Sequence, residues 1–353
     1  MGNMSTHSIN NQNKLIQFLF GTWERTQLSI SAGLLLLMVF SPLVIKSPYY
    51  IGVITLACLY AFIGISWNII SGFCGQLLIA HIIFIGLGGY TTIVLLNNYG
   101  ISPWIGIPIG GFVSGIAGVV VALITVRYGL KLDYFALFTI ALLVALRTLF
   151  LKWEFVGGAV GMYLRQETPS LNRMIFISKL PYLYIACSLL LFGIIIQYLT
   201  YKSKFGKYFI AIREDETAAA ALGVNLTKYK TLAVMIGTAL AGLGGGFYII
   251  YVTYIDPTGI FNLGFNAEMV MASPIIGGLG SLVGPILGAL VNKPIAEIIR
   301  ANLAEARSGI TMIVYGIFLI SAVLFLPRGL AGLIQTLYYR WFHGITSTHQ
   351  EGE

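Results

Sequence analysis

Long apolar runs, separated by short polar or glycine-rich stretches, set the rhythm of this chain. Runs over residues 28–45, 51–70, 74–96, 103–126, 134–151, 181–199, 229–252 and 310–326 approach the length of a membrane crossing. A spanning helix takes about 20 mostly apolar residues. A further stretch, 265–300, has room for two short passes and breaks at GGLGSLVGP, residues 277–285. Glycine and proline are tolerated at membrane depth where protein or a cavity covers the backbone. The pattern predicts an all-α, polytopic membrane helix bundle of about nine or ten transmembrane helices. It divides the chain into an N-terminal tail (1–27), a transmembrane domain (28–334) carrying a polar loop at 201–230, and a C-terminal tail (335–353). The tails are expected to be poorly ordered.

Composition sharpens this. Of 353 residues, 57% are hydrophobic and 10% charged, against about 25% charged in a soluble domain. Mean hydropathy is +0.85. The net charge of +8 is a loop signal rather than a nucleic-acid one, because basic residues in such chains mark cytoplasmic loops. Lys202, Lys204, Lys207, Arg213, Lys228 and Lys230 concentrate in the polar loop. That loop is expected in the cytoplasm, with the N-terminus on the same side. Ten passes also bring Arg328 and Arg340 there, which favours ten. The loop after residue 152 then lies outside despite Lys152, Arg165, Arg173 and Lys179. The polar start of the chain, with no small-residue cleavage site after the first apolar run, predicts an uncleaved span rather than a signal peptide. Cys58, Cys74 and Cys187 stand far apart in apolar sequence and suit neither a disulfide framework nor a zinc site.

Glycines recur at helical spacing: Gly242 with Gly246, and Gly280, Gly284 and Gly288 as a row. Such rows let helices approach closely in lipid. Their expected role is packing, with hinges as the alternative. Polar residues inside spans are costly and mark function. Asn68, Gln76, His81 and Glu268 are candidates for a translocation path, and Arg147 is a further polar group at depth. His81 is read first as a packing residue. A proton-driven carrier would bring several acids to depth. Glu268 stands nearly alone, with Asp133 and Asp256 at span ends. Protease, hydrolase and nucleotide-binding signatures are missing from the sequence. The chain is expected not to be an enzyme and to bind no cofactor. If ATP drives it, another subunit holds the ATP and Mg.

The polar loop contains AIREDETAAAALGVNLTKYK, residues 211–230. Asp215 is a good helix N-cap, the alanines that follow favour helix, and Gly223 suits a C-cap. A short exposed helix of about two turns follows, with Thr227 placed to cap the next span. A smooth alanine face flanked by acids suits docking in a groove on a partner. An ordinary solvated loop is an equal reading on these grounds.

This loop resembles that of the branched-chain amino acid ABC transporter permeases of the LivM type. So do NIISGFCGQLLIAHIIFIGLGGY (68–90), LDYFALFTIAL (132–142), VGGAVGM (156–162), GGLGSLVGPILGAL (277–290) and FLPRGLAGLI (325–334), in the family's order. The resemblance covers about residues 50–335. It departs at Leu78 and Ala80, where the family has Ser and Gly, at Val156 in place of Thr, and at Pro274. It implies one of two related permease subunits of an ABC importer in a bacterial or archaeal cytoplasmic (inner) membrane. Two cytoplasmic ATPase subunits and a periplasmic or lipid-anchored solute-binding protein are the implied partners, with no nucleic acid. Arg213, Glu214, Asp215, Glu216, Ala219, Ala220, Leu222 and Gly223 would form the ATPase-coupling element. The implied cargo is branched-chain or hydrophobic amino acids. Urea, amides or another small polar solute is the alternative within the class, and a proton-coupled carrier the alternative outside it.

Overall fold

A computed structural model describes residues 3–128, 132–165, 169–302 and 308–348. It is built almost wholly of helices: α1 (Asn3–Val44), α2 (Pro48–Trp67), α3 (Ile82–Tyr99), α4 (Pro103–Arg127), α5 (Leu132–Lys152), α6 (Leu180–Lys202), α7 (Lys204–Glu214), α8 (Glu216–Ala221) and α9 (Leu226–Val252). Short α10 (Pro257–Ile260), α11 (Leu263–Asn266) and α12 (Ala272–Gly277) follow, then α13 (Gly284–Asn302), α14 (Ser308–Phe325) and α15 (Gly329–Thr348). Two-residue strands β1 (Met162–Tyr163) and β2 (Tyr254–Ile255) pair antiparallel. α1 runs straight through residue 28, and α15 continues past residue 334.

Among the described residues, eight helical stretches are long and apolar enough to cross a membrane. The stretch expected to add two passes is present in another form. Residues 257–277 descend in pieces, with Phe261 against Gly86 of α3 and Pro274 against Gly64 of α2. α13 then returns antiparallel to α2, with Pro285 beside Gly64 and the Lys293 ammonium over the Tyr60 ring. The run expected over 74–96 is shorter as a helix. Residues 68–73 form a π-helical turn and 74–81 are irregular, so α3 begins only at Ile82.

Glycine sets the core. α9 packs against α3 and α4 so closely that a Cβ on Gly88 would stand 2.2 Å from the Gly242 carbonyl oxygen. One on Gly242 would meet the Ser114 side chain at 2.4 Å, and one on Gly246 the Thr92 hydroxyl at 2.6 Å. Lipid supplies no hydrophobic drive between helices, so this backbone proximity is what van der Waals attraction works on. Hydroxyls within the bundle turn back on their own helices: Thr55 donates to the Ile51 carbonyl, Thr92 to Gly88 and Thr238 to Val234. No polar hydrogen of these groups is left facing hydrocarbon. The outer faces of α1, α4 and α14 carry exposed Leu37, Phe112 and Ile317.

The bundle has two distinct ends. One, the loop end, carries α7, α8 and the 277–284 turn. The other, the sheet end, carries β1, β2 and the segment after α5, where Asn97 at the end of α3 donates to the Tyr163 carbonyl.

Candidate functional site

The loop end is built from local caps. The Ser203 hydroxyl accepts from the Gly206 amide and starts α7. One carboxylate oxygen of Asp215 accepts from the amides of Thr217 (2.8 Å) and Ala218 (2.9 Å) and starts α8. Gly223 takes φ +84°, a left-handed conformation that glycine adopts without strain. The next cap differs from expectation: Asn225, not Thr227, caps α9, its side-chain oxygen accepting from the Lys228 amide. An Asn one position before the first helical residue outcompetes a Thr already inside the helix.

α8 is exposed at every residue but Ala219. Ala219 faces inward and is 3% exposed, whereas Leu222 is 86% exposed. Glu216 is tied to Lys230 at 2.6 Å. Arg213 is the pivot of this region. It holds Glu214 through Nε and Nη2, and its Nη1 donates to the Gly72 carbonyl at 2.7 Å.

Gly72 lies in the π-helical turn, one residue before its end, and that turn meets the second break. The Asn68 side-chain oxygen accepts from the Gly280 amide at 2.7 Å, and its amide nitrogen donates to the Ser281 carbonyl at 2.9 Å. Gln197 of α6 donates to the same carbonyl, and the Gln27 oxygen accepts from the Leu282 amide. Thus side chains replace the helical partners that 278–283 lack. Gly278 and Gly280 have φ of +116° and +79°. Gly280 therefore does not belong to a helical row with Gly284 and Gly288; it is the turn before the helix. A Cβ on Gly280 would meet the Arg213 guanidinium at 2.7 Å. Arg213 thereby contacts both helix breaks at once.

The remaining candidates separate. His81 is fully buried away from the cavity, with Nε2 2.9 Å from the Ser66 hydroxyl and Nδ1 without a hydrogen-bond partner. Gln76 joins through its backbone, its amide donating to the Ile70 carbonyl and its carbonyl accepting from the Ser71 hydroxyl. Glu268 lies elsewhere, on a second π-helical turn (Ala267–Met271) that lines a cavity of about 790 Å³. That cavity reaches from Tyr254 and Asp256 near the sheet end to Glu268 and Arg300, with walls from α9, α13 and α14.

Arg300 Nη2 stands 2.5 Å from one Glu268 oxygen, and its Nη1 3.4 Å from Glu297. Glu297 in turn pairs with the fully buried Lys293. The Asn292 amide donates to the Glu268 backbone carbonyl and its oxygen accepts from the Tyr315 hydroxyl. Sequence reading missed Lys293, Asn292, Arg300 and Asn266, the last of which holds both the Ile79 carbonyl and the Ile82 amide. The available signal was a set of polar residues inside an apolar stretch. Among the described residues, no group of three or more His, Cys, Asp and Glu side chains is placed to hold a metal ion.

A model of the branched-chain amino acid transport system / permease component family matches residues 49–323, most of the chain and all of this geometry except Gln27. The chain belongs to that family. It is 25% identical over 309 residues to the high-affinity branched-chain amino acid transport system permease protein LivM of Salmonella typhimurium, covering 79% of this chain and 69% of that protein. The LivM protein of Escherichia coli is 25% identical over 327 residues, 84% of this chain and 73% of its own. A probable LivH permease of Methanocaldococcus jannaschii is 25% identical over 264 residues, 70% and 80% respectively. No solved structure matches. This permease-family chain thus keeps its family likeness through both helix breaks and the loop that joins them.

Proposed function

We propose that this chain is the membrane subunit of an importer for branched-chain or other hydrophobic amino acids, powered by ATP hydrolysed on separate subunits. The names of its relatives support the cargo. The single observation that carries the mechanism is the Arg213 linkage: at the end of α7, just before the exposed, capped α8, its guanidinium donates to the Gly72 carbonyl at one helix break and lies against Gly280 at the other. In this reading the loop end faces the cytoplasm, as its lysines and arginines favour, and the N-terminus lies on that side. α8 seats in a groove on an ATPase subunit, one of two. A second, homologous permease completes the membrane part, and a binding protein delivers cargo at the sheet end. Movement of α7 and α8 pulls on Gly72 and Gly280, and the two broken helices shift between inward-open and outward-open arrangements. Differential binding of the closed ATPase pair to one arrangement drives the shift.

Ala220 and Leu222 on the exposed face of α8, rather than inward-facing Ala219, make the docking contact. Glu214→Lys combined with Ala220→Trp is expected to abolish co-purification with the ATPase subunits and ATP-driven leucine uptake, with membrane insertion unchanged. Retention of both activities would refute the docking assignment.

A further inference from the structure

The cavity at Glu268 and Arg300 has a charge arrangement that selects its occupant. Lys293, Glu297, Arg300 and Glu268 form a string of alternating sign, held by consecutive ion pairs. The string ends on Glu268, whose other oxygen, Oε1, is buried with no hydrogen-bond partner. An unpartnered carboxylate oxygen at membrane depth is costly, and such groups mark solute paths. The walls beside it are apolar, with Ile260, Phe265, Ile299 and Leu319. The volume lies within the range of sites that enclose small ligands, about 300–1,000 Å³.

We propose that Glu268 and Arg300 form a passing site for the head group of a zwitterionic α-amino acid. The proposal rests on the importer reading above. Arg300 releases Glu268 and takes the solute carboxylate on its planar, two-pronged guanidinium. Glu268 takes the solute ammonium, which also satisfies Oε1. The order then reads Lys293, Glu297, Arg300, solute carboxylate, solute ammonium, Glu268, and the signs still alternate. A zwitterion enters without leaving any charge unpaired. A solute with only a carboxylate leaves the mostly buried Glu268 uncompensated, and one with only an ammonium leaves Arg300 with Glu297 alone. An uncharged amide cannot replace the ion pair it would have to open. The aliphatic side chain lies along the apolar wall. Tyr315, fixed by Asn292, keeps α14 registered against α13 beside this site.

The test uses the complete transporter in proteoliposomes, with radiolabelled leucine uptake and ATP hydrolysis measured together. Arg300→Gln alone strands the mostly buried Glu268 carboxylate and is expected to lose uptake whether the pair is structural or functional. The double variant decides. Replacing both members of an ion pair by neutral isosteres restores a purely structural pair. Under the proposal, Glu268→Gln/Arg300→Gln keeps the wild-type melting temperature yet lowers uptake by about tenfold or more, the loss expected when charge recognition is removed. Uptake restored in the double variant would overturn it. Gly316→Trp is a second route. Gly316 lines the cavity and a Cβ there meets no atom within 4 Å, so a large side chain has open space to enter. It is expected to abolish uptake while leaving the ion pair in place, and wild-type uptake would equally overturn the site. A wild-type transporter that moves no amino acid would instead refute the importer reading itself.

Discussion

The loop end and the junction it touches are stabilised in opposite ways. In the loop, every cap is local: Asp215 reaches two and three residues ahead, and Asn225 three. At the junction, Asn68 binds Gly280 and Ser281 more than 200 positions away, and Gln27 binds Leu282. Local caps specify the start of α8 from residues within its own first turn. Long-range bonds exist only once the bundle is complete, so the junction is specified by the assembled fold. The handle is thus specified by its own neighbours and the junction by the whole bundle.

The comparison breaks most severely at the glycine seams on which the junction rests. A Cβ on Gly288 would stand 1.7 Å from the Ser273 carbonyl oxygen, and one on Gly245 1.9 Å from that of Ile85. Both obstacles are backbone and cannot rotate away. Gly288→Leu and Gly245→Leu are expected to prevent assembly of a monodisperse protein, read by size-exclusion profile and thermal melting. Overpacking even a yielding core costs about 1–3 kcal/mol, and these seams do not yield. A well-folded Gly288→Leu protein would show that α12 and α13 are not locked and that the two regions differ less than the geometry indicates.

Next comes the junction itself. Asn68→Ala leaves the Gly280 amide and one bond to the Ser281 carbonyl unmade, each about 1–3 kcal/mol where buried. The expected outcome is a folded protein with lowered thermal stability and faster hydrogen exchange at 278–283 than at 216–222. Arg213→Ala is expected to leave stability nearly unchanged, because its guanidinium is partly exposed, while uptake per ATP hydrolysed falls. Equal losses of stability and coupling in both variants would erase the distinction between holding the junction and moving it.

This division also governs what was legible in the sequence. The α8 helix could be read from Asp215, the alanines and Gly223 because each acts on its own neighbours. The spans could be read because apolar length alone decides them. Thr227 was misplaced as a cap because the competing Asn225 lay one residue before the helix start, a boundary that propensity fixes poorly. Gly280 looked helical because small-residue spacing is blind to φ. Arg300, Lys293 and Asn292 were passed over because their meaning is relational: Arg300 matters only once the fold brings α13 to the π-helical turn carrying Glu268. His81 and Glu268 were equal candidates by polarity, and only packing separates a closed contact with Ser66 from a carboxylate on a cavity.

The smallest expected effect lies in the handle. Asp215→Ala removes an acceptor from two amides at the start of α8 and an acid from its positive end, worth about 1 kcal/mol. Because α8 is short and mostly exposed, the loss should stay local. Thermal melting of the whole protein is expected to be unchanged, while ATPase subunits bind about fivefold more weakly, since part of the binding energy must now order the helix. Asp215→Asn keeps a side-chain oxygen to cap the helix and loses only the charge. It is expected to fall between Ala and wild type, separating cap from charge. If Asp215→Ala also lowered the melting temperature, α8 would be part of the bundle's cooperative core, and the contrast between a locally held handle and a globally held junction would fail.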